Sequence, residues 1–102
     1  MQYARHGAWV VAPHGPCDMD SVPPLAEALS AAAEAHPHVV LDASGITFAD
    51  SSLLNLLILT HRTGALTVAA PGPQLRRLLE ITGAGAVLRV RAGVEEAAAP
   101  QR

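Results

Sequence analysis

The sequence contains no lysine, one cysteine and three aromatic residues, Tyr3, Trp9 and Phe48. Each shortage excludes something. The single thiol, Cys17, rules out an internal disulfide and fits a reducing compartment. Seven arginines stand against nine carboxylates, giving a formal net charge of −2 with the histidines neutral. Nothing in that balance draws the chain onto nucleic acid or an anionic membrane surface. No run approaches the roughly 20 apolar residues of a membrane span, and no basic start leads into an apolar targeting segment. The expected location is cytoplasmic. With so few aromatics the core must be built from aliphatic side chains and alanine, and 102 residues suffice for one domain with a modest core.

Catalytic signatures are missing as well. There is no G-x-S-x-G elbow, no glycine loop that would cradle a phosphate and no H-E-x-x-H. His14 and Cys17 lack the second pair of ligands that a metal site needs, and His6, His36, His38 and His61 follow no consistent spacing. Ser52 and His61 lie nine residues apart on one helical pattern, about 13 Å along the axis, too far for a hydrolase triad. A protein that is not an enzyme, with no cofactor, metal or catalytic residue, is expected.

What the chain does have is a stretch from Val39 to Leu59 around which the rest is organised. A β-branched run (His38 to Leu41) is followed by a Ser-Gly turn, a second β-type triplet (Ile46 to Phe48) and a leucine-rich helix launched from Asp50-Ser51-Ser52. These three residues are cap formers, and a cap is needed because the first backbone N–H groups of a helix lack partners within it. At about 100° per residue, Leu54, Leu57 and Ile58 fall opposite Ser52, as a core stripe. Asn55, Leu56 and Leu59 fall on the side of Ser52, as a docking face.

Before this stretch, Met1 to Arg5 and Ala8 to Ala12 read as paired strands around a His6-Gly7 turn, and Pro13 to Pro16 is expected to break regular structure. A helix starts near Ser21 or Val22, with Pro23 and Pro24 in its first turn and Leu25, Ala28, Leu29 and Ala32 on one buried stripe. It runs to about Ala35, before Pro37. After the second helix closes at His61-Arg62-Thr63-Gly64, a strand is expected over Leu66 to Ala70. A helix with Leu75, Leu78, Leu79 and Thr82 on one face then ends at Gly83. A strand over Val87 to Arg91 and a short helix over Val94 to Ala99 complete the pattern. Alternating strands and helices predict an α/β domain over residues 1–99, a mostly parallel sheet of four or five strands with helices packed on it, and a frayed tail over 100–102.

The run V-V-L-D-A-S-G-I-T-F-A-D-S-S-L-L resembles the central motif of STAS domains, the small α/β domain of bacterial anti-sigma factor antagonists and of sulfate-transporter tails. In that family a hydrophobic strand ends in Asp, and Asp-Ser-Ser or Asp-Ser-Thr opens the next helix. The resemblance places the phosphorylated serine of the antagonists at Ser52, with Ser51 as the alternative and Asp50 beside them. Leu53 stands where the family usually has Gly. G-P-C-D is loosely similar to the family's Gly-Glu-Leu-Asp, keeping Gly15 and Asp18, and the third helix ending in Thr82-Gly83 is similar too.

The function so implied is that of an anti-sigma factor antagonist. It would bind an anti-sigma factor of the serine-kinase class through Asp18, Asp50, Ser51, Asn55, Leu56 and Leu59, be switched off by phosphorylation at Ser52 and be restored by a serine phosphatase. Two plainer readings stay open: that Ser51 or Ser52 merely caps the helix, and that Asp18 caps the first helix. The alternative function is a STAS-like scaffold or small-ligand sensor without a phosphorylation cycle. Self-association through the exposed leucines into a homo-oligomer is also left open.

Overall fold

The computed structural model describes residues 1–99; the tail expected over 100–102 lies outside the described residues. In chain order the elements are β1 (Gln2–Arg5), β2 (Ala8–Val11), β3 (Gly15–Cys17), α1 (Val22–Ala35), β4 (His38–Asp42), β5 (Ile46–Ala49), α2 (Ser51–Thr63), β6 (Ala65–Ala69), α3 (Pro73–Thr82), β7 (Arg89–Arg91) and α4 (Val94–Ala98). Five strands form one sheet in the order β1-β2-β4-β6-β7, antiparallel only between β1 and β2. The β1–β2 hairpin turns through His6 and Gly7, whose φ angles are 52° and 84°. Positive φ at both central residues is what the two-residue turn matching strand twist requires.

β4 lies at the centre because Val39, Val40 and Leu41 are all buried, and a continuous apolar run suits a parallel strand covered on both faces. Successive side chains point to opposite faces. Val39 and Leu41 join Leu29 of α1, Leu53 and Leu57 of α2 and Leu75 and Leu79 of α3 in the main core. Val40 joins Ala8, Val10 and Ala69 beneath Ala97 and Ala98 of α4 on the other face. Arg5 and His6 both pair with Glu95, fastening the hairpin to α4.

Three expectations need correction. Pro13 to Pro16 does not simply break the chain: Gly15–Cys17 is a strand, β3, paired in parallel with β5 as a separate two-stranded ribbon. A ribbon of this kind tolerates Pro16 because its register is irregular between Gly15 and Pro16 and because β3 is an edge. The ribbon closes at Gly45, where an added Cβ would come within 2.8 Å of the Pro13 carbonyl oxygen, and the Gly15 N–H donates to the Gly45 carbonyl at 3.0 Å. Second, the stripe of α1 is Leu25, Leu29 and Ala32, with Ala28 only partly buried. Third, β7 starts at Arg89 instead of Val87. A 3-10 turn over Ala84–Ala86 first seats Leu88 in the core, and Val87 is left 55% exposed.

α3 ends as expected, on Gly83 at a left-handed φ of 75°. Among the described residues no helix is long and apolar enough to cross a membrane.

Candidate functional site at the start of the second helix

Parallel pairing of β3 with β5 sets Cys17 opposite Ala49. The next residues, Asp18 and Asp50, therefore leave the ribbon side by side, although 32 positions separate them in the chain. Cys17 records that closeness. Its thiol is pushed above the ordinary range by burial and, after that, by the negative charges of Asp18 and Asp50.

The two carboxylates do different work. Asp50 is the N-cap of α2: its backbone is extended, and its Oδ1 accepts the Ser52 N–H at 2.9 Å. Asp18 organises the turn into α1. Its Oδ1 accepts the Asp20 N–H at 3.0 Å and the Ser21 N–H at 3.1 Å, and lies 3.0 Å from Ser21 Oγ. The hydrogen bonds from Ser21, the hydroxyl first, hold the Asp18 carboxyl below its ordinary range. Asp18 does not itself cap α1, whose N-cap is Ser21; its carboxylate orders the turn that leads into that helix.

Because Asp50 supplies the cap, neither serine does. Ser51 occupies the first helical position and is exposed; Ser52 occupies the second and is partly exposed. Among the described residues no hydrogen bond engages either hydroxyl. Leu53, the residue that departs from the resemblance, turns inward and is fully buried, so it does not stand between the serines and solvent.

Further along α2 the buried residues are Leu53, Leu54, Leu57 and Thr60. The buried arc is centred on Leu57, and Ile58, expected in the core, is only partly buried. The cause is α1, which lies alongside α2 and covers the Leu56 and Thr60 side. Leu56 is partly buried against the core and, with Leu59, Ala26, Ser30, Thr60 and Thr63, lines a shallow groove of about 180 Å³ between the helices. Asn55 is exposed, and Leu59 is 57% exposed. The outward surface of α2 near its start is thus Ser51, Ser52, Asn55 and Leu59, with Leu56 at its margin. Nine residues of uninterrupted helix separate Ser52 from His61, about 13 Å along the axis, so these two do not combine.

Three residues of the site were not anticipated from sequence. Met19, next in the chain after Asp18, and Phe48, two residues before Asp50, are 74% and 47% exposed. Gln74, in the first turn of α3, places its side-chain amide against the backbone of Ala49: Oε1 accepts the Ala49 N–H at 2.9 Å, and Nε2 donates to the Ala49 carbonyl at 2.7 Å. The signal for Phe48 was available, since a large apolar residue in a two-stranded ribbon has little to pack on. Nothing local marks Gln74, whose partner is 25 positions away.

A family model described as "Mlab, STAS domain" matches residues 1–90. The chain belongs to the STAS domain family. Comparison with curated proteins gives no match. Among solved structures, this STAS domain is similar to an anti-sigma factor antagonist from Mycobacterium paratuberculosis, at 27% identity and a TM-score of 0.87 over 95% of this chain and 87% of that one. It shares its fold with the anti-sigma factor antagonist SpoIIAA in unphosphorylated form, at 21% identity and a TM-score of 0.76 over 95% of this chain and 90% of that one. The phosphorylated form of SpoIIAA from Bacillus matches at 22% identity and a TM-score of 0.70, over 95% of this chain and 94% of that one.

Proposed function

We propose that this STAS domain is an anti-sigma factor antagonist, a binding protein that docks an anti-sigma factor of the serine-kinase class through the start of α2 and is released when Ser52 is phosphorylated. The observation that carries the reading is the division of labour at the helix start: Asp50 does the capping, which leaves the Ser51 and Ser52 hydroxyls at the surface with no structural task among the described residues. The similarity to an antagonist at 27% identity supports the role.

The chemistry asks little of this chain. The Ser52 oxygen attacks the γ-phosphorus of ATP held by the kinase, the bond to the β-phosphate oxygen breaks, ADP leaves and the hydroxyl proton passes to a base on the kinase. A phosphate here adds nearly two negative charges. The free N–H groups and dipole of a helix start tolerate them, so the fold survives. That SpoIIAA is known in both forms with this same fold agrees with such tolerance. The docking surface does not survive. Asp18 and Asp50 already place negative charge there, and an interface using Met19, Phe48, Asn55, Leu59 and the margin at Leu56 would have to desolvate a dianion. A serine phosphatase restores the binding form.

The test uses an anti-sigma factor of the serine-kinase class taken from the organism that makes this protein. Incubated with ATP, it is expected to add one phosphate, mapped by peptide mass spectrometry to Ser52, with Ser51 as the alternative acceptor. Ser52→Asp is expected to abolish capture of that kinase while leaving the circular dichroism spectrum unchanged. Capture of Ser52→Asp at wild-type strength, or a phosphate elsewhere, overturns the reading and favours the scaffold or ligand-sensing alternative.

A further inference from the structure

Ala49, the last residue of β5, is 1% exposed, so its N–H and carbonyl need partners inside the protein. Both are taken by one side chain. The Gln74 amide accepts from the N–H at 2.9 Å and donates to the carbonyl at 2.7 Å, presenting to β5 the same donor and acceptor pair as the backbone of a neighbouring strand. Ala49 is followed at once by Asp50, whose carboxylate holds the Ser52 N–H. The chain of contacts therefore runs from α3 through Gln74 to Ala49, Asp50 and Ser52. On the other side β3 holds the same residue through the Cys17 and Ala49 register.

We infer that Gln74 is a positioning residue for the switch serine: it clamps the end of β5 so that α2 begins at a fixed place and Ser51 and Ser52 are presented in one geometry. The inference rests on the reading of Ser52 as a phosphorylation site, but the clamp itself can be tested without any kinase. Gln74 touches neither serine and acts through Ala49. Without it the Ala49 N–H and carbonyl are orphaned, and the junction gains room to move while the five-stranded sheet keeps its own ladders. The clamp also makes the first turn of α3 part of the working end of the domain, a role that nothing in its local sequence announces.

Two substitutions separate positioning from plain stability. Gln74→Leu removes both hydrogen bonds at similar length. Gln74→Glu keeps the acceptor for the Ala49 N–H, loses the donor to the carbonyl, and leaves α3 intact because Glu and Gln have similar helix propensity and a carboxylate is favourable in a first turn. Residue-resolved amide hydrogen exchange on the intact domain is expected to rise about tenfold at Ala49 and Ser52 in Gln74→Leu, the loss of a net hydrogen-bond free energy of ordinary size, and by less in Gln74→Glu. Exchange at Val40 and Val68, in the central strands, should stay at wild-type rates. With the kinase, both variants should show a raised KM for phosphorylation with kcat little changed, because fewer molecules present the serine correctly.

Unchanged exchange at Ala49 and Ser52 overturns the clamp, as does a rise of equal size at Val40 and Val68. Localised exchange with phosphorylation kinetics identical to wild type overturns the positioning role. If the wild type is no substrate while the exchange result holds, the reading of Ser52 fails and the clamp stands.

Discussion

Asp50 decides what the neighbouring residues are free to do. Three cap formers in a row, Asp50, Ser51 and Ser52, compete for one task, and the carboxylate takes it because its backbone is extended and its oxygen reaches the Ser52 N–H. Replacing Asp50 with alanine is expected to cost about 1 kcal/mol of stability, read as a lower urea midpoint at constant m, with faster exchange of the Ser52 amide. If the midpoint does not move, one of the serines caps the helix in its place. Asp18 resembles Asp50 in chemistry but spends its Oδ1 on the turn before α1. A partner meeting this end of the molecule thus finds two carboxylates already held in place.

At the scale of the element, α2 has a buried face and an exposed one, and the proposed docking belongs to the second. Leu53 is wholly buried, whereas Leu59 is 57% exposed six residues later. Leu53→Ala should destabilise by about 2–5 kcal/mol through lost burial and the cavity left behind, seen in the thermal midpoint. Leu59→Ala should shift stability by less than about 0.5 kcal/mol and yet weaken kinase capture. Equal destabilisation by the two changes would mean that Leu59 is structural and would remove it from the docking face. The same logic explains why leucine is accepted where the family usually has glycine: the position faces the sheet, and a leucine there adds buried area without touching the surface that carries the serines.

For the whole molecule, titration ties stability to pH through two groups, His38 outside the site and Asp18 within it. His38, in β4, sits 3.0 Å from Thr67 Oγ1 of β6, and burial, with the charge of Arg89 adding to it, lowers its pKa below 6.5. The native state therefore binds this proton more weakly than the unfolded chain does. As pH falls below 6.5 the unfolded state takes up the proton first, and stability declines until the native pKa is passed. Asp18 has the same sign lower down: its carboxyl is held below 3.8, so the stabilisation is present at neutral pH and is lost as pH falls from 3.8 through the native value. Urea midpoints should accordingly fall in two stages on acidification, and His38→Gln should flatten the upper stage. A wild-type midpoint constant between pH 6.5 and 5 would show that His38 titrates alike in both states.

The sequence by itself determined the parallel α/β class, the order of elements apart from β3, and the start of α2, because these follow from local patterns. An apolar β-branched run such as Val39-Val40-Leu41 specifies a buried strand, Gly83 ends α3, and Asp-Ser-Ser opens α2. Tertiary structure alone decided which of three capping residues caps, since that depends on a backbone angle. It also decided which side of the all-apolar α2 is buried, because α1 lies against Leu56 and Thr60 and turns the buried arc toward Leu53. The ribbon of β3 and β5, which sets Asp18 beside Asp50 where only the resemblance had put both on one surface, and the clamp of Gln74 on Ala49 were beyond reach for the same reason. Each joins residues 25 or more positions apart through backbone groups, and backbone groups leave no mark on residue type.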